Sequence, residues 1–369
     1  MKKRLIYFFR RLRMNEWLIE GTERHTHAPL TIIYTGHKPG LSFVRDLAFG
    51  QTLQQKHLGK VWFFGRFSRQ RLPLESALQF VEISETAATK RSVDNGFYIP
   101  MWINGLLDIE NSLLLSKEVG NIKEDLRRIR KNKLEYEVTT DERRIADFHR
   151  NMYVPYIKNA FGPSALYHSL SALEKSRGTI ELLVIKKDEN PIAGQILVHE
   201  DAGVRTREIG VKNGDRQFVK LGAMGAIYYF GLLHLQKKGY RSVSLGGSRA
   251  WLNDGVIRFK KKWGMRLEKP WPSGLLLIAP QISEGVAAFL ENNPFLSITD
   301  NQLHGVIFLR SHHDIDASEI RKLCRDYLYE GMSMLDIYPL TADSHAAAVP
   351  GDIADVVCQK KYLWQKQDS

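Results

Sequence analysis

The sequence predicts a mixed α/β chain of the α+β kind: helices flank a mixed, largely antiparallel sheet in the middle of the chain, and further α/β parts come from both ends. Three observations predict this. Short apolar, β-branched runs alternate with helix-period stretches along all 369 residues, and no repeat or low-complexity segment signals a solenoid or propeller. Hydrophobic content of 43% and charged content of 25% are ordinary for a globular chain of this length, enough for two or three domains or one large α/β unit. Gly203 to Leu267, entered through a hairpin and running through loop, helix, strand and glycine turn, is a continuous assembly that the remainder houses.

Taken in order, residues 1–13 are basic, either an amphipathic helix lying on anionic lipid or a disordered arm. Their apolar centre, Leu5–Phe9, is shorter than the ~7–15 residues of a secretory leader, and no apolar run approaches the ~20 residues of a membrane span. Leu30–Thr35 is a buried strand, followed by Gly36-His37-Lys38-Pro39-Gly40 and a helix from Ser42 to about Phe49. That loop is either a phosphate cradle or a plain tight connection. It is no Walker loop, since no Gly-Lys-Ser/Thr closes it and Pro39 lacks an N–H. Val61–Gly65 and Leu78–Ser84 are strands, Asp94-Asn95-Gly96 a turn, and Phe97–Trp102, with its proline, an edge strand or loop.

From Ser116 cations crowd one helix, with Leu126, Ile129 and Lys133 sharing its inner face while Arg127, Arg128 and Arg130 project outward. Glu137–Thr140 is a strand and Asp141–Phe161 a helix interrupted near Pro155. Ile180–Lys186 turns at Lys187-Asp188-Glu189-Asn190-Pro191 into the hairpin Ile192–His199 and Val204–Val211. After the polar loop 212–216 comes a long helix, about Leu221 to Lys238, closed by Lys237-Lys238-Gly239. The strand Ser242–Leu245 runs into Gly246-Gly247-Ser248. Beyond Trp271 the pattern gives a strand at Leu275–Ala279, a helix at Ile282–Leu290, a strand at Val306–Leu309 and a helix from Asp316 to about Met332. The tail turns small and polar after Thr341, and Val356–Trp364 packs back onto the body. The division expected is 1–112, 113–270 and 271–369.

Cys324 and Cys358 are too few for a disulfide framework or a zinc site. His312-His313-Asp314 lacks any accompanying ligand pattern, so no metal is expected. The default is a reduced, cytoplasmic chain. A net charge of +12 points to a polyanionic partner: CoA, a nucleotide-linked sugar, tRNA or an anionic membrane face. The helix start at Val219, Lys220, Leu221, Gly222 and Ala223 offers unpaired N–H groups and a cation to a pyrophosphate. Alternatively, Gly222 and Gly225 only let the helix pack tightly. Glu208 stands where a base would take a proton from an ammonium, or is a surface residue paired with Arg205 or Arg207. Asp254 is a turn former or a substrate carboxylate, Gly247, Ser248 and Arg249 lie at the carboxyl end of a strand, and Tyr153 and Tyr156 are phenol acids or core aromatics. No Gly-x-Ser-x-Gly is present, and covalent catalysis has no support.

Val204–Val211, Lys220-Leu221-Gly222-Ala223 with its helix, and Phe259-Lys260-Lys261-Lys262-Trp263-Gly264 together resemble the GNAT superfamily. The glycine turn after the strand, the Phe-Lys-x-x-Trp-Gly ending and the basic segment Leu126–Lys131 are similar to its FemAB-like branch, over about Ser116 to Leu267. The resemblance implies a GNAT-like acyltransferase core, with the terminal regions as a degenerate second half. It implies an acyl-CoA donor used without a permanently bound cofactor, and an active-site role for Lys260. The acceptor implied is an amine of a cell-envelope or polysaccharide precursor, met in the cytoplasm or peripherally at the inner membrane face. One departure stands out: Val219 occupies the position where the GNAT cofactor loop has Arg or Gln. Three alternatives remain: an aminoacyl-tRNA donor, a GNAT-like anion binder without catalysis, and a metal-independent glycosyltransferase.

Overall fold

Where a strand is buried on both faces its sequence runs apolar without a break, and Ile32–Tyr34 does so. The computed structural model describes residues 13–62, 77–89, 96–118, 120–162, 165, 167–174, 178–310, 316–341, 349–360 and 362–363. The basic arm before Arg13, Asp94-Asn95, His312-His313-Asp314 and the tail 342–348 lie outside them.

In chain order the first elements are β1 (Arg13–Glu23), β2 (Pro29–Gly36), α1 (Lys38–Ala48), β3 (Phe49–Trp62), β4 (Leu78–Ser84), α2 (Glu85–Thr89) and β5 (Gly96–Pro100). Then come β6 (Ile103–Asp108), α3 (Ile109–Glu118), α4 (Gly120–Lys131), β7 (Glu135–Thr139), α5 (Glu142–Phe148), a π turn (His149–Tyr153), α6 (Val154–Phe161) and α7 (Leu170–Glu174). The central stretch holds β8 (Thr179–Lys187), β9 (Asn190–Glu200), β10 (Gly203–Val211), α8 (Arg216–Lys220), α9 (Ala223–Lys237), β11 (Ser242–Ser248), α10 (Gly255–Lys262) and β12 (Arg266–Pro270). The chain continues through β13 (Ser273–Ile278), α11 (Glu284–Asn292), β14 (Phe295–Thr299), β15 (Gln302–Leu309), α12 (Ala317–Tyr327), β16 (Met334–Pro339) and β17 (Val357–Gln359).

These elements form two compact units. One comprises the described residues of Met1–Ile103, Arg249–Ile257 and Pro270–Ser369; the other is Asn104–Ser248 with Arg258–Lys269. In the first unit a six-stranded sheet has the order β3-β1-β2-β4-β13-β5, and a four-stranded sheet has the order β14-β15-β16-β17. Strand β13 pairs antiparallel with both β4 and β5, so residues from the two ends of the chain share one sheet. The core is aromatic: Phe80 meets Phe289 edge-on at 5.8 Å, and Trp251 meets Phe295 at 5.6 Å. Helix α1 starts at Lys38, earlier than the expected Ser42, because Pro39 sits in the first turn, where a missing N–H is harmless.

The second unit carries a seven-stranded sheet of order β12-β6-β11-β10-β9-β8-β7. Strands β7 to β10 pair antiparallel in succession, and β10 pairs parallel with β11 across helix α9. This is the mixed, largely antiparallel α/β arrangement expected. The β8–β9 turn places Asp188 and Glu189 at φ 49° and 60°, the left-handed pair that a two-residue hairpin needs. Helix α9 is fastened to the sheet by Glu181 of β8, which accepts from His199 Nε2 (2.8 Å), His234 Nε2 (2.9 Å) and the Lys238 ammonium.

Several local expectations are corrected. The cationic stretch is two helices, α3 and α4, and Lys133 lies beyond the second at φ 49°, exposed instead of on an inner face. The helix stops because the Lys133 and Leu134 N–H groups turn back onto Arg130 and Ile129. Strand β11 continues through Gly246 and Gly247 to Ser248 instead of ending at Leu245. Helix α12 ends at Tyr327, short of Met332.

Candidate functional site

The site is built on a fault in β10. Its ladder with β9 pairs Thr206 with Leu197 and Ile209 with Gln195, so Arg207 and Glu208 stand against the single residue Ile196, a β-bulge. On its other side β10 meets β11 only at Val204–Val243 and Arg205–Ser244, after which the ladder stops. Beyond Arg205, then, β10 runs as a strand with an unpaired edge toward β11. A bulge re-aims side chains, and here it turns Glu208 inward: 0% of it is exposed, and neither carboxyl oxygen has a hydrogen-bond partner among the described residues. Burial raises its pKa to about 7, with Arg207 pulling the other way. The surface reading of Glu208 is thereby set aside, and Arg207 donates to the Ala172 carbonyl at 2.9 Å.

Tyr153 ends the π turn and is buried; burial first, and the nearby Glu208 carboxylate after it, raise its pKa. Its hydroxyl accepts from the His168 N–H at 3.2 Å and lies 3.5 Å from His168 Nδ1. Partial desolvation, then Arg207 and Arg205, lower the His168 pKa, although the residue as a whole is exposed. Nothing in the sequence flags His168, because its partners sit far from it along the chain. Gly210 allows the π turn to lie against β10, since a Cβ there would meet the Met152 carbonyl carbon at 2.5 Å. Tyr156, on α6, is half-buried; burial raises its pKa and Arg216 opposes the rise.

Lys260 is 5% exposed and donates to the Leu245 carbonyl (2.9 Å), the Gly247 carbonyl (3.2 Å) and Ser248 Oγ (2.9 Å), with the Gly246 carbonyl at 3.4 Å. An ammonium has three donors, so this one is fully engaged in holding the end of β11. Gly247 and Ser248 are therefore fixed by Lys260, and Ser248 Oγ is already an acceptor.

At the α8–α9 junction Lys220 is exposed, while Gly222 and Ala223 are buried. Gly222 caps α9 at φ 103°, and its missing Cβ would lie 2.8 Å from Arg128 Cβ; that of Gly225 would lie 2.7 Å from Asp125 Cβ. Asn132 Nδ2 donates to the Leu221 carbonyl at 2.8 Å. Helix α4 thus lies against this helix start, and the space both glycines leave is taken by α4 side chains. Arg128 is tied to Glu124 at 3.0 Å, and Asp125 to the Lys262 ammonium. Val219 is half-buried on α8.

Arg249 and Asp254 belong to the first unit. Asp254 Oδ1 accepts from the Val256 and Ile257 N–H groups at 2.8 and 3.2 Å, which makes it the cap of α10. Arg249 Cζ lies 4.2 Å from the Phe43 ring centre and 4.1 Å from that of Trp102. Among the described residues no group of three or more His, Cys, Asp or Glu side chains could hold a metal ion, and no helix is long and apolar enough to cross a membrane.

No protein-family model and no curated protein matches the chain. Among solved structures it is similar to FemX, with 13% identity, coverage of 70% of this chain and 83% of that one, and a TM-score of 0.37. It is similar to L-PGS from Bacillus licheniformis at 10% identity, 74% and 83% coverage and a TM-score of 0.35. A GCN5-related N-acetyltransferase from Kribbella flavida gives 12% identity, 76% and 94% coverage and a TM-score of 0.28. At these identities and scores no residue role passes from them to this chain.

Proposed function

We propose that the second unit is the catalytic body of an N-acyltransferase of GNAT type, which moves an acyl group from acyl-CoA to an amine by direct attack. The observation that carries this is Glu208: a buried carboxylate without a hydrogen-bond partner among the described residues, at a bulge, on a strand whose edge toward β11 is unpaired. An extended, amide-bearing donor arm fits such an edge as an added strand would. Glu208 takes a proton from the attacking ammonium, the freed amine nitrogen forms a bond to the thioester carbon, the C–S bond breaks, and the nitrogen loses its second proton to balance the one that the departing thiolate gains. With its pKa near 7, Glu208 has the basicity such a step needs at neutral pH. Tyr153 is the nearest candidate acid for the thiolate, and Lys220 a mobile cation for the donor's phosphates. Lys260 acts as a positioning residue for Gly247 and Ser248, and Tyr156 lines the side toward Arg216.

The acceptor class, a cell-envelope or polysaccharide precursor met at the cytoplasmic membrane face, comes from the family resemblance alone. So does the reading of the first unit as a degenerate second half. An aminoacyl-tRNA donor is the second reading. It is favoured by Val219 in the cofactor loop and by the α4 side chains that fill the space beside Gly222 and Gly225.

The test is in two arms. Thiol release from acetyl-CoA with a panel of primary amines should fall about 10²–10⁴-fold in E208Q, and in wild type kcat/KM should rise with pH to a plateau above about 7. CoA at ~100 times its Kd should stabilise the chain by ~2.7 kcal/mol, less so in K220A. No stabilisation by CoA or acetyl-CoA sinks the CoA reading and moves the donor to aminoacyl-tRNA. An E208Q rate equal to wild type sinks Glu208 as the base.

A further inference from the structure

The first unit holds an arginine flanked by two aromatic rings. Arg249 is flanked on both faces, by Phe43 of α1 at 4.2 Å and by Trp102, between β5 and β6, at 4.1 Å. With its faces covered, a guanidinium can use only its in-plane edge, which carries five N–H donors. Among the described residues that edge has one hydrogen-bond acceptor, Met101 Sδ at 3.0 Å, and a thioether is a weak acceptor.

The neighbouring carboxylates are engaged elsewhere. Asp254 Oδ1 caps α10. Glu82 accepts from the Tyr34 hydroxyl, from the His37 N–H at 3.1 Å and from the His37 imidazole. Asp254, Tyr34 and Glu82 favour the charge of Arg249 from a distance, but burial outweighs them and brings its pKa down to about 10. The cation is under-compensated, and an oxyanion in its plane would relieve that. The ring of Trp271 stands 6.2 Å from that of Trp102, and Trp271 is 46% exposed.

We propose that Arg249, held between Phe43 and Trp102, is an oxyanion-binding site that takes a phosphate or carboxylate group edge-on, with the group's apolar or planar substituent lying against Trp271. Planar fork geometry is what arginine supplies and lysine lacks, so the site should not tolerate Arg249→Lys. The inference does not rest on the acyl-transfer reading, since every residue in it belongs to the first unit.

Calorimetric titration of the full chain at fixed ionic strength tests it, with inorganic phosphate, phenyl phosphate, acetate and benzoate as probes. We expect saturable binding in wild type by one anion series, the aryl member at least tenfold tighter than the simple ion. Which series binds separates a phosphate from a carboxylate ligand. R249K should lose at least tenfold and R249M all detectable binding, while E208Q binds as wild type does. Flat titrations with all four probes, or R249K binding within twofold of wild type, would overturn the proposal. R249K decides alone if R249M does not fold.

Discussion

A glutamate in water ionises near pH 4.3, and on β10 the bulge removes the water. Folding then favours the neutral acid. Because the folded pKa, about 7, lies above the unfolded one, the stabilising contribution of Glu208 is complete in acid and is lost as pH rises through about 7. Wild type should therefore lose about 3 kcal/mol against E208Q between pH 4 and pH 8, read from denaturant midpoints of both proteins. An equal pH slope in the two would mean that Glu208 meets water or an unseen partner. Lys260 poses the opposite case, a charge kept buried because carbonyls surround it. K260M leaves those carbonyls unsatisfied and should destabilise by about 2–4 kcal/mol. Retained stability would show that the turn does not depend on its clamp. Position picked out Glu208 in the sequence, but flanking Arg205 and Arg207 gave somewhat more weight to a surface role. Only the two-against-one pairing with Ile196 settles its burial.

Among the elements, the start of α9 is where local and tertiary preferences part. Alanine is the better helix former, yet G222A puts a Cβ at φ 103° and 2.8 Å from Arg128 Cβ, and G225A puts one 2.7 Å from Asp125 Cβ. Each should destabilise by about 2 kcal/mol or more, with G222A the worse; a stabilised G225A would show that α4 yields. Both glycines were visible in the sequence, but what approaches them was not, because α4 comes from a distant stretch. Strands with clean apolar runs, β2, β4, β8, β9 and β13, were legible for the reason that burial on one or both faces writes itself into the sequence. Strands β1 and β3 were not. Gln51, Gln54, Gln55 and Lys56 on β3 are exposed at the sheet edge, where backbone pairing needs no apolar side chains. The π turn before Pro155 was foreseen as an interruption, since proline supplies no N–H to the ladder.

For the whole molecule, a net charge of +12 makes a claim independent of any pocket. Binding to a polyanion such as tRNA should weaken by on the order of tenfold or more between 50 and 200 mM salt, measured by filter retention. A flat salt response would mean that the cations are dispersed or paired, as Arg127 and Arg128 are with Glu124. Charge, hydrophobic periodicity and hairpin turns are local quantities, so the sequence alone determined the α/β class and most of the middle sheet. Tertiary structure decided that β13 joins β4 and β5 in one sheet, that Glu208 is buried and Lys260 spent, and that Arg249 sits between Phe43 and Trp102. Each of those depends on residues far apart in the chain, and desolvation, ring contact and strand pairing arise only when folding brings them together.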